Sequence, residues 1–267
     1  MVKYIVAGYH KTGTKSLSAA FRSLGLRVYD APEVHLFMRR TWIDFLAGKI
    51  TIEEVAQEYE DQNVDVIVDS PGFFFWKEFH KIWPKAKMIL TERDSTDVWW
   101  NSAKNFFNNL NQWAPCKYGW FFNYLSPTAY STLVHLTYPT MYMIHGTLKM
   151  YVQHADLDNP SVRNIMITRY EAHNAYVKSH ADERFLIYNV KKGWAPLCEF
   201  MGIPIIAGPI PHHNQSKNQK DTKEFMDDMM TPFVDQCKKE IYITLIAIIV
   251  GLIGMALAIA FIVKDQV

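Results

Sequence analysis

The chemistry this chain can do is densest in nine residues near its amino terminus, Gly8-Tyr9-His10-Lys11-Thr12-Gly13-Thr14-Lys15-Ser16. Gly8 and Gly13 let the backbone turn so that successive N–H groups converge on one point. Lys11 and Lys15 add full positive charges, Thr12, Thr14 and Ser16 add hydroxyls, and His10 stands directly beside the first lysine. Residues of these types at this spacing cradle a phosphate or sulfate group, most effectively when a helix starts at the loop and aims its positive dipole end inward. The loop departs from the nucleoside-triphosphate motif, which needs a lysine and then a Ser or Thr immediately after the second glycine. Here Gly13 is followed by Thr14, and the lysines sit at 11 and 15.

The flanking elements are the ones such a loop requires. Lys3 to Ala7 reads as a short buried strand, and Leu17, Ala20, Phe21 and Leu24 recur at helical spacing up to Gly25. Further along, Leu26–Tyr29, Val64–Val68, Lys87–Thr91 and Phe185–Tyr188 read as strands. Pro32–Ala47, the segment opened by the Thr51-Ile-Glu-Glu54 capping box, Phe74–Trp83, the stretch after Asp94, residues 161–180 and Ala195–Met201 read as helices. Strands alternating with helices predict an α/β fold, three layers deep, with a central parallel sheet and ligands gathered beyond the carboxyl ends of its strands. The 8–16 loop, Asp69 and Arg93 all fall at such ends. The aromatic-rich middle, with Trp113, Trp120, Phe121, Phe122, Tyr124, Tyr138 and Tyr142, reads as helices over the pocket mouth, with plain core packing the favoured role for most of these rings. His173 and His180 read as packing or surface residues, because no second metal-type partner stands at fixed spacing.

A chain of 267 residues with 14% aromatics holds one sizeable domain and an appendage. A formal charge of +1 gives no bulk attraction for nucleic acid. Three cysteines, Cys116, Cys198 and Cys237, lack metal spacing and fit a reducing compartment. The amino terminus enters a strand directly, and no cleavable signal is expected.

Three segments together resemble the P-loop sulfotransferase superfamily. They are Gly8-x-x-Lys11-Thr12-Gly13-Thr14-x-Ser16-Leu17; Leu90-Thr91-x-Arg93-Asp94 with Ser102 after it; and Gly193-Trp194-x-Pro196-Leu197-Cys198-x-Phe200-Met201-Gly202-Ile203-Pro204 followed by Pro211-His212-His213-Asn214. The last segment narrows the likeness to the sulfotransferase-like subfamily often mislabelled as NAD-dependent epimerase/dehydratase. The resemblance implies use of 3′-phosphoadenosine 5′-phosphosulfate (PAPS) without a metal. It implies that the loop, from His10 through Ser16, binds the 5′-phosphosulfate with Lys11 near the bridging oxygen, and that Arg93 and Ser102 bind the 3′-phosphate. Two departures stand out. Ser102 lies nine residues after the arginine where eight is usual, with Asn101 at the eighth place; one helical step rotates a side chain by about 100°. Lys15 replaces a Thr or small residue. Asp69 admits three readings: the general base that takes the acceptor's proton, a magnesium-binding aspartate like that of nucleotide hydrolases, or a cap on the next turn.

The run Ile241–Val263 carries no charge. It is longer than the roughly 20 apolar residues that cross a bilayer as a helix. The expected organisation is therefore a domain over 1–216, a polar stalk over 217–240 and a membrane helix over 241–263 serving as a tail anchor. Lys238 and Lys239 before the span bias the body toward the cytosol. Cys237 stands beside the membrane, within reach of palmitoylation. Ala247, Gly251, Gly254 and Ala258 offer small residues for close helix packing, and so for a homodimer. The sequon at Asn214 reads as chance in a cytosolic body. These features predict a membrane-anchored sulfotransferase acting on a hydroxyl or amine of a small or lipid-like acceptor. The competing readings are a P-loop kinase or nucleotide hydrolase, and a catalytically silent anchored binding protein.

Overall fold

The computed structural model describes residues 1–112, 123–149, 156–211 and 219–264. Trp113, Cys116, Trp120, Phe121, Phe122, His212, His213 and Asn214 lie outside them. The sheet has five parallel strands, β1 (Tyr4–Val6), β2 (Val28–Tyr29), β3 (Val66–Ile67), β4 (Lys87–Thr91) and β5 (Phe185–Tyr188), in the order β2-β3-β1-β4-β5. The register pairs Ile5 with Ile67 on one side and with Met88 on the other, so β1 is central. The chain builds β2 and β3 on one side of β1 and then crosses to build β4 and β5 on the other. The crevice at that reversal, beyond the carboxyl end of β1, is where an open α/β sheet binds ligands.

Strand alternation sends side chains into two cores. Ile5, Ala7, Ile67, Met88 and Leu90 pack with Met38, Trp42, Val55, Tyr59, Phe79 and Trp83 on one face. Val6, Val66, Val68, Ile89 and Tyr188 pack with Leu17, Phe21, Leu197 and Cys198 on the other. Burial on both faces explains why these strands read as near-continuous apolar runs rather than as alternating ones. A third cluster, with Tyr9, Phe73, Trp99, Phe107, Ile144, Met166 and Tyr170, is separate from these two and includes one residue of the loop itself, Tyr9.

The helices that matter for the site are α1 (Thr14–Ser23), α2 (Arg39–Leu46), α3 (Ile52–Asp61), α4 (Trp76–Ile82), α5 (Thr96–Gln112), α6 (Pro127–Thr132), α7 (Tyr138–His145), α8 (Pro160–Lys178), α9 (Trp194–Met201) and α10 (Gln219–Lys264). Helix α3 starts at Thr51, which accepts from the Glu54 amide while Glu54 accepts from the Thr51 amide, as the capping-box spacing predicts. The predicted helix Pro32–Ala47 is interrupted. A first turn at Ala31–Glu33 passes into a π-helical turn at Val34–Met38 before α2 begins. The His35 ring nitrogen lies 2.7 Å from the Ala31 carbonyl and competes for an acceptor that a regular α-helix would reserve for an amide. β3 is shorter than the apolar run around it, though the Val68 amide still reaches the Tyr29 carbonyl at 2.8 Å.

Helix α10 is one continuous helix from Gln219 to Lys264, passing through Pro232. Within its Met230–Ile262 stretch the most apolar 18-residue window has a mean hydropathy of 3.0 and none of it is buried. It is long and apolar enough to cross a membrane. The segment before the apolar run is part of this helix and leans on the body: Met230 and Val234 pack against the third cluster.

Candidate functional site

The loop's shape follows from what crowds it. A Cβ on Gly8 would come within 1.9 Å of Thr91 Oγ1 at the end of β4, so only glycine lets the two strands run this close. Gly13 has φ 105° and lies against Val190, where a Cβ would sit 2.6 Å from a valine methyl. Between them, Thr12 is fully buried; its hydroxyl donates to the Tyr9 carbonyl and lies 2.6 Å from Thr91 Oγ1. Gly13 is the N-cap of α1 and offers no side-chain acceptor to the first-turn amides. A helix start capped this way keeps its donors and its dipole for an incoming anion.

Both candidate catalytic residues stand in left-handed backbone, Lys11 at φ 65° and Asp69 at φ 63°. For a residue with a Cβ this conformation is uncommon, and it clusters where geometry is held for function. Lys11 is 9% exposed, with its ammonium 4.6 Å from the centroid of the Phe106 ring. Its carbonyl accepts from Arg93 Nε at 2.6 Å. Among the described residues no carboxylate forms an ion pair with Lys11 or Arg93. Burial, with Arg93 and Lys15 nearby, lowers the Lys11 pKa to about 8.

Lys15, one helical turn further on, has the opposite setting. It donates to Asp30 in a short ion pair and lies 3.8 Å from Asp69. Burial pulls its pKa down, but the two carboxylates outweigh burial and hold it above the ordinary value. Asp30 follows β2 and also accepts from Ser18 Oγ and from the Ala31 amide, both at 2.7 Å. Burial pushes the Asp30 carboxyl up, but its ion pair with Lys15 and these hydrogen bonds win and keep it below the usual range. Asp69 stands two residues beyond β3 and accepts from the Ser70 amide at 2.7 Å. For Asp69 burial prevails over Lys15, and its pKa is raised.

Arg93 is thus brought to the loop through its contact with the Lys11 carbonyl. Ser102 stands half-buried in α5, and Asn101 beside it is exposed. Helix α5 is held to the loop by Trp99, whose indole N–H donates to the His10 carbonyl at 3.0 Å while its ring stacks on Tyr170 at 4.1 Å. His173 is a packing residue with a defined task, its ring nitrogen lying 2.7 Å from the Ala7 carbonyl.

Sequence reasoning passed over Asp30 and His145. His145 ends α7, fully buried, 4.7 Å from the His10 ring between centroids. Both His145 ring nitrogens and His10 Nε2 have no hydrogen-bond partner among the described residues. Burial, with Lys11 and Lys15 nearby, lowers the His10 pKa to about 3; burial, with His10 beside it, carries His145 well below the ordinary value, so both rings are neutral. A His-Gly pair at a helix end reads locally as a C-cap, and nothing in its spacing points back to a loop so distant in the chain. Asp30 carries a stronger signal, since an aspartate directly after an apolar strand belongs to the same sheet edge as Asp69.

The sulfotransferase-domain family model matches residues 3–219, which takes in the loop, Asp30, Asp69, Arg93 and every described strand. The chain belongs to the sulfotransferase family. It is also 24% identical over 219 residues to the Ava biosynthesis cluster protein M of Aspergillus versicolor, covering 79% of this chain and 80% of that protein. Within this sulfotransferase domain the cationic loop, the strand-end carboxylates and Arg93 occupy one edge of the sheet, the edge where the strand order reverses.

Proposed function

We propose that this protein is a membrane-anchored sulfotransferase that moves a sulfuryl group from PAPS to a hydroxyl or amine of a small or lipid-like acceptor. The observation that carries the reading is the pair Lys11 and Arg93: two cations joined through the Lys11 carbonyl, at a helix start without a side-chain cap, and without a carboxylate ion pair among the described residues. Burial first, and then the nearby Arg93 and Lys15 charges, lower Lys11 to about pKa 8, and a bound anion would supply the counter-charge that such a buried cation lacks. The loop would take the 5′-phosphosulfate, while Arg93 and Ser102 would take the 3′-phosphate.

In the transfer, the bond between sulfur and the leaving phosphate oxygen breaks, a new bond forms from sulfur to the acceptor atom, and the acceptor's proton must leave. Negative charge grows on the leaving oxygen. Lys11 aimed there favours the transition state over the ground state, which is what raises turnover. Asp69 is the proposed base. Its raised pKa suits a carboxylate that must hold a proton, and the neighbouring Lys15 ammonium supplies its counter-charge, the place a metal would take in the hydrolase reading. The A. versicolor relative is named for a biosynthesis cluster, which supports a small-molecule acceptor. The apolar helix α10 supports anchoring, with Lys238 and Lys239 biasing the body toward the cytosol. Small residues along that helix would permit a homodimer.

The test is calorimetry of the full chain in detergent with adenosine 3′,5′-bisphosphate, against ADP with magnesium. Tight binding of the bisphosphate alone is expected. Preference for ADP with magnesium would move the protein to the kinase or hydrolase class.

A further inference from the structure

Helix α10 is fastened to the body by Glu240, the residue before its apolar run. Its carboxylate accepts from the Ser126 hydroxyl at 2.6 Å, the Thr128 amide at 2.9 Å, the Thr128 hydroxyl at 2.6 Å and the Gln236 amide at 2.9 Å. Three of these four donors belong to the start of α6 or the residue before it, so the exit of the apolar run is fixed against that helix. The 3₁₀ turn Asn123–Leu125, helix α6 and the π turn Val34–Met38 all touch α10. Each of the three carries an exposed aromatic ring: Tyr124 at 75%, Tyr130 at 40% and Phe37 at 58%. The Tyr124 and Tyr130 rings lie 5.9 Å apart between centroids. Tyr242, two residues beyond Glu240 and therefore about 3 Å further along the helix axis, is 70% exposed. The exposed cations Lys239 and Arg40 stand on α10 and on the helix that continues the π turn.

We propose that the body sits directly on the bilayer surface, with Tyr124, Tyr130, Phe37 and Tyr242 forming an aromatic rim in the lipid headgroup region around the base of the span. This rests on the anchoring reading above. The occupant is phospholipid because the rim is continuous with a helix whose most apolar 18 residues are wholly unburied. A tyrosine ring has an apolar body and a polar tip, which suits the boundary between acyl chains and water. Lys239, exposed and next to Glu240 on α10, favours anionic headgroups. The consequence is a rigid seat instead of a swinging stalk. The apolar cluster that includes Tyr9 of the loop also packs Met230 and Val234 of α10, so one core joins the loop region to the helix that enters the membrane.

The test puts the photoreactive amino acid p-benzoylphenylalanine, one position at a time, at Tyr124, Tyr130, Val250 and Tyr176 of the full chain. The protein is reconstituted in phosphatidylcholine vesicles containing phosphatidylserine and a radiolabelled phospholipid, then irradiated. Tyr176 is the aqueous control, an exposed tyrosine packed on Trp76 of α4. Covalent phospholipid at 124, 130 and 250, with none at 176, is the expected result. Adducts at 250 without adducts at 124 and 130 overturn the seated body and leave the anchor intact. Absence of adducts at 250 overturns both. Adducts at 176 as strong as at 124 also overturn the proposal, since contact would then be general. Glu240→Ala gives a second readout: it should reduce labelling at 124 and 130 while labelling at 250 persists, and unchanged labelling would remove Glu240 from the device.

Discussion

Lys11 and Lys15 are the same residue type, four positions apart on one loop-and-helix, and the protein treats them in opposite ways. Toward α5, Lys11 is buried against an aromatic ring with an arginine beside it, and burial, then the neighbouring cations, lower its pKa to about 8. Toward β2 and β3, Lys15 sits between two buried carboxylates, and its pKa rises. On one side of the loop the lysine has no carboxylate ion pair among the described residues. On the other side the protein's own carboxylates already neutralise it. A loop with two lysines is therefore not a uniform positive patch: one cation is the proposed binding and catalytic group, the other keeps Asp30 and Asp69 tolerable in the interior.

The largest expected effect is on the paired side. Lys15→Met leaves Asp30 and Asp69 buried without their common counter-charge. Removing one partner of a buried pair costs about 3–5 kcal/mol, read as loss of unfolding free energy in urea. A loss within experimental error would mean that Lys15 belongs functionally with Lys11. Next is the ligand side. Lys11→Ala should lower single-turnover transfer from labelled PAPS by about 10²-fold or more while leaving stability nearly unchanged.

Asp69→Asn separates binding from chemistry on the carboxylate side. Transfer should fall by about 10²-fold, with bisphosphate affinity nearly intact, because asparagine keeps the shape and removes only the base. Transfer at the unmutated rate would relocate the base, and the neutral His10–His145 pair is the next place to look. Arg93→Ala should weaken bisphosphate binding by at least about tenfold, or roughly 1.4 kcal/mol; unchanged affinity would remove the main reason for preferring a 3′-phosphorylated donor. The smallest effect is on pH dependence. The free protein holds Lys11 with a lowered pKa, so Lys11 loses its proton as pH rises through about 8, and an anion then binds a less charged site. Affinity should fall roughly threefold between about pH 7.5 and 8.5. The Lys11→Ala protein should show a flat profile there, and a slope that survives the substitution would assign the titration elsewhere.

Most of the fold was legible in the sequence, and about the site the sequence was silent on pairing. The strand ending at Val6, the turn at Gly8 and the helix from Thr14 are local, each decided within a few residues by β-branching, glycine and apolar periodicity. The capping box at Thr51 is local in the same sense. The π turn at Val34–Met38 was not legible, because a ring nitrogen of His35 competes with backbone amides in a way that hydrophobic spacing does not report. Asp69 and Arg93 were legible as polar residues at strand ends. Their partners were not: nothing in the chain between Lys15 and Asp69 signals that the two side chains meet at 3.8 Å.

An α/β sheet with a glycine-bounded cationic loop at its head and an apolar helix after it could be read from the residues in order. Those features rest on local propensity and on periodicity, which act over a turn or a strand length. Only the folded chain fixes which lysine is neutralised, which histidines are buried without partners among the described residues, and where α10 is fastened by Glu240. These depend on distances through space and on exclusion of water, because the strength of a charge interaction follows separation and local dielectric, neither of which is written in the order of residues.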